Sequence, residues 1–151
     1  MAFMATVVML FAGFTTALLI RRSGSDWAPV ELPKLIWVNT GMLIAASALL
    51  ELACRRRSRS VLGAALAVGV LFLAGQIVVW NQLSAAGHGL GANAHGAFFY
   101  VFSAIHGLHL LGGLGAALYV LMRGRNWRAT AVYWHFLALM WLYVLYLLHA
   151  A

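Results

Sequence analysis

Acidic side chains are nearly absent from this sequence. Asp and Glu total three in 151 residues, and all charged residues together make up 9% of the chain. A domain folded in water covers its surface with roughly a quarter to a third charged residues, so an ordinary water-facing surface is excluded. Cysteine is limited to Cys54, which leaves no intrachain disulfide, iron–sulfur site or two-cysteine copper centre to consider. Asp26 and Glu31 fall between apolar runs, and Glu51 is the one carboxylate inside such a run. Proton pumps and proton-coupled transporters need a relay of ionisable groups through the membrane. No deep carboxylate exists here to build one.

What is present is apolar length: 64% of the residues are hydrophobic. Crossing ~30 Å of hydrocarbon takes roughly 20 apolar residues. The hydropathy pattern predicts five such helices, at residues 2–20, 34–54, 61–83, 96–122 and 129–150, hence an all-α membrane protein forming a single transmembrane domain over 1–151. Pro29 and Pro33 punctuate the first connection, Gly87, Gly89 and Gly91 the third, and arginines the second and fourth. The first run lacks a basic n-region and is followed by Arg21 and Arg22 where a small-residue cleavage site would stand, so it reads as a retained helix. The basic residues sit in short clusters between apolar runs, the pattern of membrane-end anchors and not of a nucleic-acid face.

Orientation follows from those clusters. Connections two and four carry seven basic residues (Arg55, Arg56, Arg57, Arg59, Arg123, Arg125 and Arg128), whereas connections one and three carry three (Arg21, Arg22 and Lys34). The richer side is expected to be cytoplasmic, with the N-terminus inside and the C-terminus outside. Small residues four apart let helix backbones approach in lipid, and Gly41/Ala45, Gly112/Ala116 and Gly113/Ala117 fit that spacing. Tryptophans 27, 37, 80, 127, 134 and 141 mostly fall near expected membrane ends, the pattern of an aromatic belt.

Burying an ionisable group in lipid costs at least ~2.5–3.5 kcal/mol, so each such group needs a reason. Glu51 lies about one turn before Arg55, near the cytoplasmic end of the second helix, where snorkelling and an i,i+4 ion pair satisfy it. His106 and His109, three apart on the fourth helix, and His135 on the fifth are the candidates for haem or metal ligation. Depth separates them: at about 1.5 Å per residue, His109 lies ~20 Å from the cytoplasmic side and His135 only ~9 Å. The expectation is therefore buried, hydrogen-bonded histidines or contacts to lipid or a partner, with solvated His88, His95 and His149 at the outer side.

Two segments carry a resemblance. The fourth helix reads Phe99-Tyr100-Val101-Phe102-Ser103-Ala104-Ile105-His106-Gly107-Leu108-His109, and the fifth Tyr133-Trp134-His135-Phe136 followed by Trp141. With Trp27, Pro29, Pro33, Trp37, Asn39, Thr40, Ser47 and Glu51 in order before them, the chain resembles subunit III of cytochrome c and quinol oxidases in its five-helix form. The resemblance implies a subunit without redox centres of its own in a bacterial inner membrane. Such a subunit packs against a haem-bearing subunit I, with haem and copper in partner subunits, stabilises it and holds phospholipid. His106, His109, Tyr133, Trp134, His135 and Glu51 are the positions carried over as lipid or subunit contacts, and Arg123, Arg125 and Arg128 are added as a phosphate-binding cluster. Where the family places acids, this chain has Thr6-Val7, Val79 and Ala138. Two further readings stand beside it: the accessory subunit of a related nitric oxide reductase, and, from another class, a haem-binding membrane cytochrome b anchor. A small transporter is disfavoured by the missing deep charges.

Overall fold

Each apolar run folds as one uninterrupted helix: α1 (Ala2–Arg22), α2 (Leu35–Arg56), α3 (Arg59–Ala85), α4 (Ala94–Arg123) and α5 (Trp127–Ala150). The computed structural model describes residues 2–24, 33–87, 89 and 94–150. Asp26, Trp27, Pro29, Glu31, His88 and Gly91 lie outside the described residues. All five helices are long and apolar enough to cross a membrane. Most run a residue or two past the expected ends, because backbone hydrogen bonding continues into the interfacial layer where hydropathy has already fallen.

The connections on the basic side are short. Arg57 takes a left-handed conformation (φ 51°) and its N–H bonds back to Ala53, after which Ser58 caps α3 by accepting from the Val61 N–H. Between α4 and α5, Gly124 and Asn126 take φ 66° each, the conformation glycine and asparagine tolerate best.

Four helices close a ring: α2 packs on α3, α3 on α4, α4 on α5 and α5 back on α2. Its inward positions follow a heptad rhythm, seen on α3 as Leu62, Ala65, Gly69, Phe72, Gln76, Val79 and Leu83, the spacing of a left-handed helical bundle. Helix α1 lies outside the ring against α4 and α5. Its Phe11 and Phe14 rings meet Phe102 at 5.8 and 5.9 Å, and Thr15 hydrogen-bonds Tyr143 at 2.9 Å.

The middle of the ring is filled from α5. Trp134 and Trp141, seven residues apart, are both 0% exposed. This corrects the belt expectation: of the described tryptophans only Trp37, at 57%, is strongly exposed. The indole N–H explains why burial is tolerated, since each finds an acceptor: Trp134 the Gly113 carbonyl, Trp141 the Thr40 hydroxyl, Trp80 the Ser103 hydroxyl and Trp127 the Gly124 carbonyl. Of the small-residue pairs, Gly113 and Ala117 are buried, Gly113 against Trp134 and Leu137. Gly41 faces open space. Gly69 is also closely packed, since a Cβ there would stand 2.6 Å from the Trp134 ring.

Candidate functional site

Near the basic end, α2 and α5 are joined by one carboxylate. Glu51 accepts from Arg55 Nε at 2.8 Å, as its i,i+4 spacing requires, and also from Arg128 Nη1 at 3.2 Å and His135 Nε2 at 3.2 Å. On its other side the His135 ring meets Ser47 through Nδ1 at 2.6 Å. With Nε2–H donating to the carboxylate, Nδ1 is left to accept a hydrogen bond from the Ser47 hydroxyl, so both polar atoms of the ring are paired. The cluster is half open, with the two guanidinium side chains 74% exposed.

Below this cluster runs a groove of about 390 Å³ between α2 and α5, lined by Ile44, Ser47, Ala48, His135, Ala138, Leu139 and Leu142. Polar chemistry is confined to its mouth and apolar wall fills the rest. Around the same end, Arg57 lies 5.9 Å from the Trp127 ring, and Arg123 and Arg125 are exposed. The basic residues of connections two and four therefore gather at one end of the bundle.

The other candidate residues separate. His106 is buried, its ring 4.9 Å from Trp141 and 6.1 Å from Phe72, and neither ring nitrogen has a hydrogen-bond partner. His109 turns towards α1, with its ring 6.4 Å from Phe11 and Nδ1 bonded to its own helix at Ile105. The two share a helix but pack against different neighbours. Tyr133 donates to the His109 carbonyl at 3.1 Å. Trp134 belongs to the core and reaches no surface, so it cannot border a lipid tail. His95, expected in solvent, sits in the first turn of α4, buried and bonded to the Leu148 carbonyl at 3.0 Å. Among the described residues no three His, Cys, Asp or Glu side chains come together in a metal-binding group.

Several polar links were not foreseen from the sequence, and two matter most here. One is the reach of Arg128 and His135 to Glu51. The other is a buried amide pair in which Asn39 Nδ2 donates to Gln76 Oε1 at 2.9 Å and to the Phe72 carbonyl at 3.1 Å. The signal was available, since polar residues in a lipid-facing helix mark its inward side. Val7, Val79 and Ala138 are all buried.

Together these features define a multi-pass helical membrane protein whose polar side chains mostly tie helix to helix. No family model matches the sequence. A curated cytochrome c oxidase subunit 3 from Synechocystis is 33% identical over 169 aligned positions, covering 97% of this chain and 71% of the relative. The cytochrome c oxidase subunit 3 of Thermostichus vulcanus is 29% identical, with 99% of this chain and 84% of the relative aligned. A probable cytochrome c oxidase subunit 3 of Nocardia farcinica is 28% identical over 92% and 79%. The chain belongs to the cytochrome c oxidase subunit 3 family.

Proposed function

We propose that this chain is the non-catalytic subunit III of a bacterial respiratory haem-copper terminal oxidase. In this reading it forms one domain in the cytoplasmic membrane, N-terminus inside and C-terminus outside, packs against the haem-bearing subunit I, steadies it during turnover and holds phospholipid. The observation that carries the reading is alignment with oxidase subunit 3 relatives along nearly the whole chain. The side chains are consistent with it, because the cluster at Glu51 joins α2 to α5. The phospholipid is assigned to the basic end, with phosphate on the exposed guanidinium groups of Arg123, Arg125 and Arg128. A tail would then lie in the α2/α5 groove past His135.

The test is affinity purification of the tagged chain in mild detergent, followed by mass spectrometry and an absorption spectrum. Co-purification of a haem-copper oxidase subunit I with oxygen-reducing activity is expected. Recovery with the catalytic subunit of a nitric oxide reductase, or with no haem protein at all, overturns the proposal.

A further inference from the structure

A second groove, of about 350 Å³, opens between α3 and α4 on the side away from Glu51, and its walls include Leu73, Gln76, Ile77, Trp80, Ser103 and Leu108. Almost everything in it is apolar. Gln76 and Ser103 are the exceptions, and their hydrogen-bonding is partly spent. Gln76 Oε1 already accepts from Asn39, and Ser103 Oγ already accepts from the Trp80 indole at 2.6 Å. What the walls still hold is donor capacity: Gln76 Nε2, buried and without a partner, and the Ser103 hydroxyl proton.

A buried amide N–H without a partner costs free energy that an acceptor would recover. Among the described residues no Lys, Arg or His lines the groove, so none of them selects an anion there. The chemistry fits an uncharged acceptor on an apolar body. We propose that this groove binds a membrane-soluble ring carbonyl of the quinone class in its oxidised form. Its carbonyl accepts from Gln76 and its ring lies against the Trp80 indole. A quinone brings only acceptors to these donors, whereas a quinol adds two hydroxyl protons that an almost wholly apolar groove must also pair, so the oxidised form is favoured. The volume is in the range that small-molecule pockets occupy, from about 300 Å³ upward.

Depth separates a quinone from the other carbonyl source in a membrane, the ester groups of phospholipid. Helix α3 runs 27 residues, which is about 40 Å of rise and about 10 Å more than the hydrocarbon thickness. With α3 centred, the hydrocarbon ends ~5 Å short of Ala85, and Gln76, ~14 Å from Ala85 along the axis, lies ~9 Å inside it. Ester carbonyls stay in the interfacial layer. A carbonyl at the depth of Gln76 belongs to a head group that is itself apolar enough to enter.

The test uses the full chain in phospholipid nanodiscs containing a photoreactive azidoquinone, with labelled sites located by peptide mass spectrometry. Parallel samples contain the reduced compound or an azido-phospholipid. Labelling by the oxidised quinone is expected on α3 and α4 around Gln76 and Gly107, and Gln76→Leu should lower it roughly tenfold. Because Gln76 also serves Asn39, a second variant is needed. A Cβ at Gly107 meets only Leu73, at 3.8 Å, so Gly107→Leu fills the groove and leaves the amide pair intact. It should abolish labelling while the melting temperature holds. Quinone label spread evenly over the outer helix faces, equal labelling by the reduced form, preferential labelling by the phospholipid, or unchanged labelling in Gly107→Leu would each overturn the assignment.

Discussion

The indole N–H of Trp134 on α5 donates to the Gly113 carbonyl on α4 at 3.1 Å, and the far edge of the same ring occupies the space a side chain at Gly69 on α3 would need. One side chain thus fixes the approach of three helices. Trp134→Ala removes both the bulk and the hydrogen bond, and a loss of about 3–5 kcal/mol is expected. Gly69→Val pushes against the ring from the other side and should cost about 1–3 kcal/mol by overpacking. Thermal unfolding of the purified chain in detergent checks both. The double variant should lose less than the two single losses combined, because the ring that Gly69→Val collides with is gone. Simple additivity would mean that the two sites do not share this contact.

Arg128 and His135 converge on Glu51, so the three residues form a coupled unit across α2 and α5. In a double-mutant cycle, Glu51→Gln with His135→Ala should be clearly less than additive, whereas Glu51→Gln with Arg21→Gln, at the opposite end of the bundle, should be additive. Coupling of equal size in both cycles would sink the idea of a local cluster.

That cluster also shows where reading the sequence stops. The depths of Glu51 and His135 below the basic side are both legible from residue counts, about 4.5 and 9 Å, a difference that their side chains can span. What hydropathy does not reveal is that α2 and α5 are neighbours, because in this chain the outward faces are as apolar as the inward ones. The heptad rhythm on α3 is hidden for the same reason: Leu62 and Phe72 face the ring, but Val70, Leu71 and Ile77 beside them face out. Trp37 fits a belt, but Trp127, Trp134 and Trp141 are buried, because near a helix end a belt residue and a core filler look alike in sequence. Polar residues were the better guide. Asn39, Thr40, Ser47, Gln76 and Ser103 all turn inward.

Topology is tested by reporter fusions. The seven basic residues of connections two and four lie at one end of the bundle, so fusions after Arg57 and after Arg125 should report the cytoplasm. A fusion at Ala151 should report the outer side. Cytoplasmic activity from the C-terminal reporter contradicts a five-span chain with its N-terminus inside.

Haem binding by the isolated chain is expected to be absent. His106 and His109 pack against different helices, and His135 is engaged by Ser47 and Glu51, so no two of these imidazoles face each other across a haem-sized gap. A pyridine haemochrome spectrum of the purified chain should show no stoichiometric haem. Stoichiometric haem that disappears in the His106→Ala, His109→Ala double variant would reverse this.

Lipid retention is the remaining test, and the geometry sharpens it. Arg125 is exposed and has no carboxylate partner among the described residues, whereas Arg128 already shares the Glu51 carboxylate. If the basic end binds phosphate, Arg125→Gln should release an anionic phospholipid without loosening α2 from α5. Arg128→Gln should do both, since it also removes one of the three groups holding Glu51. Native mass spectrometry of the purified complex reads the lipid, and thermal unfolding reads the helix contact. The arginines at Arg55, Arg56, Arg57 and Arg59 stay in place to hold the topology. Ala138→Leu supplies an independent arm, because Ala138 lines the α2/α5 groove and a larger side chain there occupies the path proposed for the acyl tail. The expected outcome is reduced lipid retention in Arg125→Gln and in Ala138→Leu, with subunit I still bound. Unchanged retention in both variants would mean that the basic cluster sets orientation alone and that the groove holds no specific lipid.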